Sequence, residues 1–148
     1  MKEERLTEDL LARLLRADSI ESYLDEGETK DRTFVEYLYE LMEDRGFIRA
    51  DMIRNSGLHA TVVYDIFAGK SKPGRNNAIM LSFGLKCDLK ETQRLLRLSG
   101  HAELWPKVKR DAIIAWCIAH GMTRAACDDE LWRFKEKTLL GTGPLVVR

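Results

Sequence analysis

The chain has 148 residues, 45% of them hydrophobic, which allows one substantial core but not two large ones. Its 24 Lys/Arg cancel 24 Asp/Glu, so it lacks the overall basic charge of many nucleic-acid binders, and three cysteines with no C-x-x-C spacing exclude a disulfide framework or a zinc ribbon. The longest apolar run, Ala112 to Ala119, falls far short of the ~20 residues that cross a bilayer. The opening MKEERLTEDL is acidic and amphipathic rather than a basic stub before an apolar stretch, so a cytoplasmic location is expected.

In chain order, Leu6, Leu10, Leu11, Leu14 and Leu15 share one face of a first helix that Thr7 would cap and that ends near Ala17. A helical turn over Ser19–Leu24 and a polar connector, Asp25 to Asp31, complete an acidic arm, residues 1–31. Thr33 and Glu36 form a capping box opening a helix with Phe34, Leu38, Leu41 and Met42 inward, and Gly46 stops it. Two short helical patterns follow, Arg49–Ser56 and His59–Ala68, separated by Gly57-Leu58. Lys70 to Arg75 is a basic loop turning at Pro73-Gly74, and a helix over about Asn76–Leu85 comes next. Asp88 caps a helix to Leu98, with Gly100 as its stop. After Pro106, segments from Asp111 to His120 and from Thr123 to Phe134 make a hairpin, residues 101–138, rich in Ile113, Ile114, Trp116, Ile118, Leu131, Trp132 and Phe134, ahead of a tail over 139–148. Helical spacing recurs almost throughout, so the fold class is all-α.

The zero net charge conceals a gradient. Residues 1–44 carry six Lys/Arg against 14 Asp/Glu, residues 45–75 six against two, and residues 76–148 twelve against eight. An acidic arm therefore precedes a basic body, with residues 32–100 as the candidate nucleic-acid-binding domain.

The stretch Arg49–Gly69 has the pattern of a helix-turn-helix. Gly57 supplies a turn residue that tolerates positive φ, and Met52, Leu58, Val63 and Ile66 fall at the inward positions the two helices would share. The side chains left to face a DNA major groove are His59, Ala60, Thr61, Tyr64 and Asp65. Phe67 is expected to be buried.

From Thr33 to Gly100 the chain resembles the phage-repressor-like, or XRE-type, helix-turn-helix family. The resemblance rests on Ser56-Gly57, Ile66, Gly69, Pro73, Arg75 and a following apolar helix ending at Gly84-Leu85. It implies a lambda-repressor-like five-helix domain and a bacterial transcription regulator that binds double-stranded DNA as a homodimer. By the same resemblance, Arg49, Lys70, Lys72, Arg75 and Asn77 would hold phosphates while the second motif helix reads bases. The sequence departs from the family in two places. Ile53 stands where a small Ala is usual, and no Arg or Lys lies between His59 and Ala68, although Arg to guanine is the commonest specific contact.

No nucleophile with its base, phosphate-binding glycine loop or catalytic carboxylate pair is present, so neither enzymatic activity nor a cofactor is expected. Cys117, His120 and Cys127 lack a fourth metal ligand nearby, and His120 is expected to meet the end of its own helix. The alternative function is a protein-interaction adaptor of repressor-like fold that uses the acidic arm or the tryptophan-bearing hairpin (Trp105, Trp116, Trp132) to hold a partner. The hairpin would otherwise extend the core or form the dimer surface. The arm would cover the basic surface or pair with another subunit.

Overall fold

The computed structural model describes residues 7–25 and 33–141. Leu6, the connector after Asp25 and the tail after Gly141 lie outside the described residues. All regular structure within them is helical, and no described helix is long and apolar enough to cross a membrane.

The chain divides into two units, Met1–Arg32 and Thr33–Arg148. The first holds α1 (Thr7–Arg16) and α2 (Ile20–Asp25). On it Leu11, Leu15, Ile20 and Leu24 are exposed. The second holds α3 (Phe34–Arg45), α4 (Arg49–Ser56), α5 (Ala60–Phe67), α6 (Arg75–Gly84), α7 (Leu89–Leu98), α8 (Lys109–Ala119) and α9 (Arg124–Arg133).

Local chemistry sets most of these boundaries. Thr33 Oγ1 accepts from the Glu36 amide while Glu36 accepts from the Thr33 amide, a reciprocal box at the start of α3. Asp88 and Glu91 repeat the device on α7, and Thr123 caps α9. Ile48 has no oxygen with which to cap α4, so only half a box forms there, with Asp51 accepting from the Ile48 amide. Gly46 ends α3 in the left-handed region.

The second unit has one core. Its axis is α6, buried without interruption from Ala78 to Gly84, so the helix has no solvent stripe and must be wrapped by others. Around it pack α4, α7 and α9. The approach of α4 depends on Gly84, where an added Cβ would lie 3.0 Å from the Ser56 Cβ and 3.1 Å from the Met52 carbonyl oxygen. Ile53 is accommodated half-buried against the same core. Ile114, Cys117, Ile118, Cys127, Leu131 and Leu139 join this cluster, so α8 and α9 share the core of α3–α7.

The tryptophans do not extend it. Trp105 is 57% exposed, Trp116 53% and Trp132 52%, with Phe134 at 40%. The reason is helical phase. The inward stripe of α8 is Asp111, Ile114, Cys117 and Ile118, and that of α9 is Cys127, Asp128 and Leu131. Positions 116 and 132 fall off those stripes onto the outer face.

Candidate nucleic-acid interface

The α4–α5 connection is Gly57-Leu58-His59. Gly57 takes φ +80°, a region glycine enters without a Cβ penalty. Met52, Leu58, Val63 and Ile66 are all buried, and Phe67 is too. The glycine has a second reason to be there. The Arg124 guanidinium at the start of α9 packs against the turn, and a Cβ on Gly57 would stand 2.7 Å from its Nε. Arg124 is held by Asp128, whose other oxygen accepts from the Leu139 amide. The turn, α9 and the chain beyond it are thus braced together.

On the outer face of α5, His59, Thr61 and Tyr64 are exposed and Ala60 and Asp65 half-buried. His59 is the N-cap, its Nδ1 accepting from the Thr61 amide at 3.2 Å. With Nδ1 accepting, the neutral ring carries its proton on Nε2, which makes that nitrogen a donor. Tyr64 adds a hydroxyl and half of an exposed ring, and Asp65 adds acceptors. The face can therefore donate through His59, Thr61 and Tyr64 and accept through Asp65, without any positive charge of its own.

Arg49, the first residue of α4, supplies a positive charge beside that face. Its guanidinium donates to the Tyr39 hydroxyl at 3.1 Å and lies 5.8 Å from the Tyr64 ring and 5.9 Å from the Phe67 ring. Tyr39 in turn meets Phe67 edge-on, with centroids 5.1 Å apart. These contacts tie α3, α4 and α5 together and bring Arg49 beside the exposed tyrosine of α5. Lys70, whose amide closes on the Asp65 carbonyl at 2.9 Å, follows α5 directly and is exposed, as is Lys72. The loop is pinned at Pro73, whose carbonyl oxygen lies 2.9 Å from His101 Nε2. Asn77 is half-buried in the first turn of α6.

Arg75, the fourth cation expected at phosphate, is engaged within the fold. Its Nη1 and Nη2 donate to the two oxygens of Asp111 at 3.0 and 2.9 Å, Nη2 also to the Glu103 carbonyl, and Nε to the Ala102 carbonyl. Asp111 is buried and also accepts from the Trp105 amide. Burial alone would raise the Asp111 pKa, but the Arg75 hydrogen bonds, the Trp105 amide and the charges of Arg75 and Arg110 outweigh it and hold the carboxyl below its usual range. Arg75 is a structural clamp between the start of α6 and the segment leading into α8.

Besides Arg124 and its partner Asp128, Tyr39, Asp111 and His101 escaped the sequence reading. Tyr39 had a faint signal, because an inward stripe of Phe34, Leu38 and Leu41 leaves it on another face of α3. Asp111 had one as well, since an acid opening an apolar helix needs a partner if buried. His101 had none. At the end of α8, His120 Nδ1 lies 2.8 Å from the Trp116 carbonyl oxygen, with its ring stacked on Trp116. Burial pushes the pKa values of the Cys117 and Cys127 thiols upward, which keeps both thiols protonated.

No family model, curated protein or solved structure matches the chain.

Proposed function

We propose that the Thr33–Arg148 unit is a DNA-binding transcription regulator of the repressor-like helix-turn-helix kind, with α5 entering a major groove. The observation that carries this reading is the pairing of α4 and α5 around Gly57, which leaves His59, Thr61 and Tyr64 exposed beside Arg49 and the Lys70–Lys72 loop. Arg49, Lys70 and Lys72 hold phosphates. His59, Thr61, Tyr64 and Asp65 contact base edges, Asp65 accepting from a cytosine amino group. A homodimer places two α5 helices about one DNA turn, roughly 34 Å, apart.

The adaptor reading is favoured by one specific observation, the absence of any cation from His59 to Ala68 on the face that would read bases. Anisotropy titration of a duplex from upstream of the coding sequence, against random duplex over a salt series, separates the two readings. The regulator prefers its own DNA, and log K falls with log salt at a slope of about −3 per protomer, as three phosphate contacts require. Replacing Arg49, Lys70 and Lys72 with Gln flattens that slope. Equal, weak binding to both duplexes would overturn the regulator reading and leave the adaptor.

A further inference from the structure

Two six-residue stretches with related composition lie on either side of the hairpin: WPKVKR, Trp105 to Arg110, and WRFKEK, Trp132 to Lys137. Together they carry six Lys/Arg and a single acid, Glu136. The fold joins them. Lys109 Nζ donates to the Phe134 carbonyl at 2.9 Å, and Arg110 donates to the carbonyls of Lys137 and Thr138 at 2.7 and 3.3 Å. Those two cations are engaged in holding the end of α9 and the segment after it. Lys107, Lys135 and Lys137 are exposed around them, and so is Arg133, which is paired with Glu130 at 2.9 Å on the surface of α9.

The same end of the hairpin exposes aromatic surface that the core does not use. Trp105 and Trp132 are each more than half exposed, and the Phe134 ring, 40% exposed, lies 4.3 Å from the Arg133 guanidinium. Along Trp132–Lys135 aromatic and cation alternate residue by residue. Lys135 itself sits at φ +64°, the position after α9 where glycine would be unstrained. The chain thus places a lysine where backbone geometry favours a residue with no side chain.

We propose that this end of the α8–α9 hairpin is a binding surface for single-stranded nucleic acid, with Trp105, Trp132 and Phe134 stacking on bases and Lys107, Arg133, Lys135 and Lys137 meeting phosphates. A single strand offers both features the patch complements, a repeating negative charge and open base faces. A duplex hides its base faces, and an acidic polypeptide has the charge without them. The inference does not depend on the regulator reading, because it uses none of the α4–α5 residues and a different ligand.

The test is a titration of the full chain with a fluorescein-labelled oligothymidylate of about 12 nucleotides, followed by anisotropy and by quenching of tryptophan fluorescence. Binding is expected with quenching and a log K against log salt slope of about −3, as four cations on a single strand imply. Trp105→Ala and Trp132→Ala each weaken it by about fivefold or more, the loss of one stacked base, while Trp116→Ala, on the outer face beside His120, leaves it unchanged. Lys135→Gly weakens binding two- to threefold without lowering the thermal midpoint, which keeps the test decisive if a tryptophan variant fails to fold. The proposal is overturned by no binding, by binding indifferent to Trp105, Trp132 and Lys135, by binding of a duplex of the same length that Trp105→Ala and Trp132→Ala weaken equally, or by equal binding to polyglutamate.

Discussion

Gly57 is constrained twice, by a backbone angle and by the guanidinium of a residue far along the chain. An alanine there has to enter the left-handed region, at about 1–2 kcal/mol, and also displace Arg124 from the turn, disturbing the Asp128 bridge behind it. Gly46 provides the contrast, since it has φ +66° but open space where a Cβ would go. Urea titration should therefore show Gly57→Ala losing at least about 2 kcal/mol and Gly46→Ala only about 1. Asn, which tolerates the left-handed region, should largely rescue position 46 but not position 57. Equal losses at the two sites would show that Arg124 simply moves aside. The turn could be read from the sequence because a glycine between two helical patterns has a local cause. The Arg124 contact could not, because it depends on which distant helix end lands on the turn.

The clamp of Arg75 on Asp111 makes a second prediction at this scale. A carboxyl whose folded pKa lies below its unfolded value of about 3.9 contributes stability that is complete above that value and is lost as pH falls through the folded pKa. Asp111→Asn, which leaves the half-buried Arg75 without its counter-charge, should cost roughly 3 kcal/mol at pH 7. The gap between variant and wild type should narrow below about pH 4 as Asp111 itself is protonated. A gap independent of pH would mean that the charge on Asp111 contributes nothing. The same clamp shows what the sequence alone leaves out. A basic residue beside a candidate DNA-binding loop looks like a phosphate ligand until its partner, 36 residues away, is located.

At the scale of elements, the α4–α6 contact fixes how the candidate reading unit is carried. Gly84 is in the last turn of α6, where Ala would ordinarily gain about 1 kcal/mol of helix propensity. Contact with the Ser56 Cβ and the Met52 carbonyl should reverse that sign, giving a net loss of about 1–3 kcal/mol for Gly84→Ala. Because one of the clashing atoms belongs to Ser56, Ser56→Gly should recover part of the loss, and a double-mutant cycle should return a coupling of at least about 0.5 kcal/mol. Additive effects would mean that α4 shifts as a rigid body instead. Helix starts and stops were legible wherever a cap or a glycine marks them locally, as at Thr33, Gly46, Asp88 and Thr123. The outward tryptophans were not, because composition says only that a helix pair is apolar. A shift of one or two positions decides whether residue 116 or 117 faces inward.

For the whole molecule, the zero net charge is a sum over two unlike units. Residues 1–32 carry six Lys/Arg against ten Asp/Glu, a balance of −4, so residues 33–148 alone carry +4. Nucleic acid responds to this long-range field as well as to contacts, so an acidic arm opposes polyanion binding without touching it, and salt screens that opposition over about 8–10 Å. Removing residues 1–32 should therefore tighten binding of both duplex and single strand several-fold at low salt and do so much less at physiological ionic strength. A charge-neutral arm, with Glu3, Glu4, Glu8 and Asp9 replaced by Gln and Asn, should reproduce the deletion if the effect is electrostatic. If the deletion tightens binding and the neutral arm does not, the arm acts by covering a surface through its leucines. If neither changes affinity, the acidic arm has no bearing on nucleic acid and its partner lies elsewhere.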